Sequence, residues 1–99
     1  TYISVNGEPV LEPDMRAWTR WFKTASTERF VARNQIGDVL VSTVFLGLDH
    51  RFDDAGPPIL WETVVFGGLQ NGWQERYTSL KEARRRHMEI VATLEAARQ

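Results

Sequence analysis

The residues best suited to chemistry lie close together between two apolar runs. The segment GLDHRFDD, residues 47–54, contains Asp49, His50, Asp53 and Asp54, and Glu62 follows in the next apolar run. Carboxylates and an imidazole are ligands for divalent metals, and a carboxylate beside a histidine is a pattern of general acid–base sites. The spacing matches no zinc or calcium motif, so we predict neither a metal nor another cofactor.

Two structural interpretations of this segment are simpler than a catalytic one. Asp and Gly are frequent in loops for conformational reasons alone, so the segment could be a solvated connection between strands. Alternatively, Asp49 and His50 hydrogen-bond backbone groups and shape a rigid loop that a partner recognises. The second interpretation assigns partner contacts to the whole loop: Asp49, His50, Arg51, Asp53 and Asp54.

Glu62 is unusual because alternation along its strand places it on the same face as Leu60, Val64 and Phe66. A carboxylate that is partly buried needs donors or a cation. The candidate partners are Arg33, Arg76, Ser42 and Thr43. The alternative places Glu62 with Asp49 and His50 in a polar pocket, which would belong to a small-ligand binder or a minimal hydrolase.

A basic surface is predicted on the first helix, where Arg16, Arg20 and Lys23 share one face by their i, i+4, i+7 spacing. These residues could contact an acidic protein surface or phosphates. Arg84, Arg85 and Arg86 do not form a comparable patch, because successive helical residues point about 100° apart. For His87, within the apolar stripe of the last helix, we expect a packed, neutral and hydrogen-bonded side chain.

Composition limits the function classes. The chain has 99 residues, 42% of them apolar and 25% charged, which is typical of one globular domain, here residues 1–99. The absence of cysteine excludes thiolate chemistry, and a net charge of −1 argues against nucleic-acid binding. The longest mostly apolar run, residues 39–48, is far shorter than the roughly 20 residues of a membrane span. We therefore expect a cytoplasmic protein that does not contact a membrane.

The elements that must position these residues follow the order ββ-α-ββββ-α. Asn6-Gly7 predicts a type I′ turn between two short strands, and Ser79 with Glu82 predicts a capping box before the last helix. The predicted core elements are a helix from residue 15 and strands at 30–36, 39–48, 59–66 and 73–78, with a final helix to about residue 97. The fold class is α+β: an antiparallel sheet of about five to six strands with two helices packed on one face.

Both faces of the predicted central strands are apolar. Along residues 39–48, Val41 and Phe45 point to one side, and Leu40 and Val44 point to the other. Two helices cover only one face of a small sheet, so the sheet either curls on itself into a half-barrel or packs its second face on another subunit. An apolar, aromatic-bearing face left in water would be unusual for a monomer, which favours the second arrangement. We therefore predict self-association, with a homodimer as the expected form.

Several runs resemble a known group of proteins. These are VSTVFLGLDH (residues 41–50) and WETVVFGG (61–68), with WTRWF (18–22) and Arg76-Tyr77. They are similar to a family of small hypothetical proteins encoded in bacteriophage and prophage genomes, and the similarity covers residues 10–87. The resemblance implies a phage accessory protein in the cytoplasm of an infected bacterium, with inhibition of a host defence, as by anti-CRISPR proteins, as a leading role.

These observations predict a non-enzymatic binding protein that occludes a bacterial host protein or complex. Its contacts would come from the loop at residues 49–54, the basic face of the first helix and exposed aromatic side chains. The alternative is the small-ligand binder or minimal hydrolase with its pocket at Asp49, His50 and Glu62.

Overall fold

The computed structural model describes residues 1–51 and 55–98, and it confirms the predicted order ββ-α-ββββ-α of an α+β fold. The elements are β1 (Tyr2–Val5), β2 (Glu8–Leu11), α1 (Met15–Thr24), β3 (Phe30–Ile36), β4 (Val39–Phe45), β5 (Trp61–Phe66), β6 (Gln74–Tyr77) and α2 (Leu80–Arg98). Within these residues, no helix is long and apolar enough to cross a bilayer.

The strands form two sheets, which corrects the prediction of one sheet with five to six strands. β1 and β2 pair only with each other, through a turn in which Asn6 and Gly7 have φ values of 52° and 84°. Positive φ at both positions is the signature of the predicted type I′ turn. The N–H of Tyr2 donates to the carbonyl of Gly47, beyond the end of β4, so the hairpin adjoins the larger sheet without extending its strand ladder.

The larger sheet is an antiparallel meander in the order β3-β4-β5-β6. Its register pairs Val41 with Val65 and Thr43 with Thr63, so each of these pairs lies on one face. β4 ends at Phe45, earlier than the predicted residue 48, because Gly47 turns the chain with a φ of 76°.

α2 covers one face of this sheet, called here the inner face. Its C-terminal half contributes Val91 to a cluster with Ile36, Val41 and Val65. Its N-terminal half contributes Ala83 to a second cluster, whose other buried members are Phe45, Leu60, Trp61 and Tyr77. The helix begins where the hydroxyl of Ser79 accepts the backbone N–H of Glu82 at 3.1 Å, which is the Ser half of the predicted capping box.

α1 and the hairpin complete the second cluster from the same side. The ring of Trp21 meets Phe45 edge-on at 5.9 Å, and Tyr2 packs against the same buried residues. The indole Nε1–H of Trp18 donates to the carbonyl of Tyr2 at 2.9 Å, which ties α1 to β1. Both helices and the hairpin therefore lie on the inner side of the sheet, as the two-helix prediction requires.

Candidate functional site

The loop after β4 is braced by Asp49. Its Oδ1 accepts the backbone N–H groups of Arg51 at 2.9 Å and Ile59 at 3.0 Å, and its Oδ2 pairs with the Arg51 guanidinium. Although desolvation acts to raise it, the pKa of Asp49 is lowered because these two N–H groups and the guanidinium favour the carboxylate. Asp49 therefore closes the loop across ten residues, which matches the rigid-loop interpretation.

His50 and Arg51 follow Asp49 at the start of this loop. The backbone N–H of His50 donates to the carbonyl of Ile59 at 3.0 Å, and the residue is exposed. The Arg51 guanidinium also donates to the carbonyl of Gly56 at 2.8 Å. Asp53 and Asp54, both predicted as partner contacts, lie outside the described residues.

Glu62 is paired, as the simpler interpretation predicts. Its Oε2 accepts from Nε of Arg76 at 2.9 Å, across the β5-β6 ladder in which the two residues are direct partners. Thr43, suggested as a possible partner, points to the opposite face of the sheet and is fully buried. The interaction with Arg76 accounts for a carboxylate on an otherwise apolar face.

The three residues of the alternative polar pocket are not joined to one another. Across residues 1–51 and 55–98, no hydrogen bond or ion pair links Asp49, His50 or Glu62 to another of the three. Within the same residues, no group of three acidic, histidine or cysteine side chains is placed to hold a metal ion. The carboxylates of Asp49 and Glu62 each pair with an arginine, Arg51 and Arg76 respectively.

The basic face of α1 is exposed. Asp14 caps the helix by accepting the N–H of Arg16 at 2.9 Å, and the side chains of Arg16, Arg20 and Lys23 lie on the solvent side. Within the described part of the chain, none of the three forms a salt bridge. This cationic surface is therefore available to an acidic partner.

A chain of buried hydrogen bonds runs beneath α2. From the sequence, His87 was expected to be packed and hydrogen-bonded, and Thr43 was considered only as a partner of Glu62. The hydroxyl of Tyr77 donates to Thr63 at 2.9 Å, and the Thr63 and Thr43 hydroxyls lie 2.5 Å apart. The chain continues from Thr43 to Nδ1 of His87 at 2.7 Å, and from Nε2 to Oδ1 of Asn34 at 2.7 Å. The strand register that makes Thr43 and Thr63 partners is not visible in the sequence.

The direction of these hydrogen bonds determines the tautomer of His87. Asn34 Oδ1 accepts, so Nε2 of His87 carries the proton and Nδ1 accepts from Thr43. Burial lowers the pKa of His87, and it raises the pKa of the Tyr77 phenol. His87 is neutral and 0% exposed, as predicted, with both ring nitrogens occupied. The chain joins α2 to the sheet and presents no free base to a substrate.

The opposite face of the four-stranded sheet, called here the outer face, carries an exposed apolar surface. Phe30 and Phe66 are 41% and 50% exposed. The register places Leu40 beside Phe66, Val44 beside Phe30, and Val64 beside the buried Ser42 between these two pairs. The five apolar side chains, which surround Ser42, are called here the apolar centre. Arg33, with its guanidinium 4.5 Å from the Phe30 ring, flanks this centre on β3, and the Glu62–Arg76 pair flanks it on β5 and β6.

Two of the tryptophans, in contrast, contribute to the hydrophobic core. Trp61 is 3% exposed, and Trp21 packs on the core. In the part of the chain that the structure describes, the exposed aromatic side chains are Phe30 and Phe66 of the outer face. Comparisons with protein-family models, with curated proteins and with solved structures find no match for this chain.

Proposed function

We propose that this protein is a non-enzymatic binding protein whose outer face is its main interface. The observation that carries the proposal is the apolar centre with two exposed phenylalanines, Phe30 and Phe66, on a face that both helices leave open. Contiguous apolar patches of this kind mark interaction sites on soluble proteins. Aromatic and arginine side chains, here with Arg33 and Arg76 at the margins, are the residues enriched in interfaces.

The first partner of this face is a second copy of the chain. Two antiparallel sheets pack face to face when apolar side chains interdigitate between them, and a two-fold axis brings the same patch of each copy together. The pairing of Glu62 with Arg76 supports this arrangement, because the ion pair neutralises the one carboxylate beside the apolar centre.

In the dimer, α1 and the loop at residues 49–51 lie away from the paired faces and remain free to bind a host component. The exposed row Arg16, Arg20 and Lys23 suits an acidic protein surface. The proposed role is that of a phage accessory protein in an infected bacterium's cytoplasm, which occludes a host protein or complex, with a defence system as the leading target.

Sedimentation velocity at increasing protein concentration tests the dimer. We expect twice the monomer mass for the wild type and the monomer mass for Phe66→Glu, which introduces a charge into the apolar centre. Met88→Glu is the matched control, because Met88 is similarly exposed at 57% but lies on α2. A wild type that stays monomeric at high concentration, or an equal effect of both substitutions, would contradict the proposal.

Affinity capture from bacterial lysate tests the host contact. A protein retained by the wild type and by Met88→Glu, but lost with the triple variant Arg16→Glu, Arg20→Glu, Lys23→Glu, supports occlusion through α1. Retention by the triple variant assigns the host contact to another surface.

A further inference from the structure

A groove of about 470 Å³ lies on the inner side of the molecule, beside the C-terminal half of α2. Its floor is formed by Ile36, Val39 and Val65, and its walls by Trp73 with Ile90 and Leu94. This volume falls in the range of about 300–1,000 Å³ that is usual for small-molecule sites, and an apolar lining with few polar groups is also typical of them. The groove is separate from the outer face, which lies across the sheet.

The wall opposite α2 is held in place by its own hydrogen bonds. The N–H of Gly67 donates to Oδ1 of Asn71 at 2.7 Å, and the N–H of Gly72 donates to the carbonyl of Val65 at 2.8 Å. A Cβ atom at Gly67 would lie 2.4 Å from the Asp38 carbonyl oxygen, so this turn sits directly on the β3-β4 turn. The groove is therefore pre-formed, which reduces the ordering cost of binding.

The small side chain of Ala97 keeps the groove open at its end. Ala97 is exposed and lines the groove, and the neighbouring Leu69 of the β5-β6 turn is fully exposed, at 104%. If Leu69 folded over the groove, it would bury the apolar area of its own side chain and that of the groove floor. Instead, Leu69 is exposed, and the partly buried side chains of Trp73, Ile90 and Leu94 offer accessible apolar area above the buried Ile36 and Val65.

The charges at the rim leave one cation uncompensated. Arg86 lies 3.3 Å from Glu89 and 2.6 Å from Glu75, so the ions in the middle of the groove neutralise each other. Hydrogen bonding to Arg86 lowers the pKa of Glu75, which keeps this pair ionised. Arg98, at the open end, has no ion-pair partner among the described residues.

We propose that this groove binds an apolar organic anion, an aryl or alkyl carboxylate or sulfonate. Its hydrophobic body lies on Trp73, Ile90 and Leu94, and its charged group meets the Arg98 guanidinium. Burial of the body supplies the affinity, and the Arg98 guanidinium, which has no ion-pair partner among the described residues, selects an anion over a neutral molecule of the same shape.

The test uses two fluorescent probes with the full chain: 8-anilinonaphthalene-1-sulfonate, which is an apolar anion, and N-phenyl-1-naphthylamine, which lacks the charge. We expect saturable binding of the sulfonate at one site per chain and competition by decanoate. Ala97→Phe fills the end of the groove and should weaken binding at least tenfold. Ala96→Phe is the matched control, since Ala96 is exposed on the same helix but does not line the groove, and it should change binding less than twofold.

Arg98→Gln should weaken the sulfonate about five- to tenfold and leave the neutral probe unchanged. Backbone amide shifts in a ¹⁵N-labelled sample should concentrate at Gly67, Gly68 and Ile90. Equal effects of the two alanine substitutions, an unchanged sulfonate affinity in Arg98→Gln, or no saturable binding would overturn the proposal.

Phe66→Glu separates this site from the proposed interface. This variant should keep the probe affinity of the wild type whether or not it dissociates a dimer. Loss of probe binding in Phe66→Glu would place the probe on the outer face and would also refute the groove site.

Discussion

Thr43→Val tests the buried hydrogen-bond chain most directly. Valine has nearly the shape of threonine, so the substitution leaves packing in place and removes only the hydroxyl between Thr63 and His87. That hydroxyl is fully buried and lies 2.5 Å from the Thr63 oxygen and 2.7 Å from Nδ1 of His87. The variant therefore buries an imidazole nitrogen without a donor and a threonine O–H without an acceptor.

The expected loss of stability follows from these two unsatisfied groups. Each buried polar group that loses its partner costs about 1–3 kcal/mol, so the pair costs about 2–6 kcal/mol of the free energy of unfolding. This is a large part of the about 5–15 kcal/mol that stabilises a typical domain. For a chain of this length, 1 kcal/mol corresponds to about 4–8 °C, so the melting temperature should fall by at least about 8 °C.

Urea unfolding followed by circular dichroism measures the effect, at one fixed protein concentration because self-association would add to stability. Thr93→Val is the control, since the Thr93 hydroxyl is exposed and bonds only the Glu89 carbonyl in its own helix. The control should lie within about 0.5 kcal/mol of the wild type. If Thr43→Val costs no more than Thr93→Val, the hydrogen-bond chain does not stabilise the fold.

Two further predictions concern acid stability and the β5-β6 turn. Burial lowers the pKa of His87, so as the pH falls the unfolded chain binds a proton at this residue before the native chain does. The free energy of unfolding is therefore unaffected above about pH 6.5. Below that pH it decreases by up to about 1.4 kcal/mol per pH unit. Urea midpoints between pH 7 and pH 5 should show this slope in the wild type and not in His87→Gln; equal slopes would rule out His87 as its source. Gly67→Ala should cost about 2–5 kcal/mol, because φ is +91° and the new Cβ would lie 2.4 Å from the Asp38 oxygen. Gly56→Ala, where φ is +73° with no atom within 4 Å, should cost only about 1–2 kcal/mol by thermal unfolding, and a similar cost at both positions would contradict this account of Gly67.

Local signals in the sequence were sufficient to predict most of the helices and strands. Periodicity gave α1 and α2, Asn6-Gly7 gave the hairpin turn, and Ser79 marked the start of α2. These features depend on residues within a few positions of one another, where backbone preference and alternation act directly. The separate hairpin was not predicted, because whether it extends the larger sheet depends on where its edge comes to lie.

The candidate site was also predictable from the sequence only in part. The sequence showed that Glu62 needs a partner and that His87 is packed and neutral. It offered Arg33, Arg76 and two hydroxyls for Glu62 without ranking them, and it offered no partner for His87. The contacts that decide these questions join residues 14, 44 and 53 positions apart.

The amino-acid sequence by itself determined which residues are apolar, which elements they form, and that both faces of the central strands carry apolar side chains. Tertiary structure alone decided that the hairpin stays separate from the larger sheet, that Thr43 and Thr63 meet under His87, and that a groove opens beside α2. The physical reason is that side-chain alternation and helical periodicity are local properties of the chain. Strand register and helix docking instead depend on how distant apolar surfaces exclude water together.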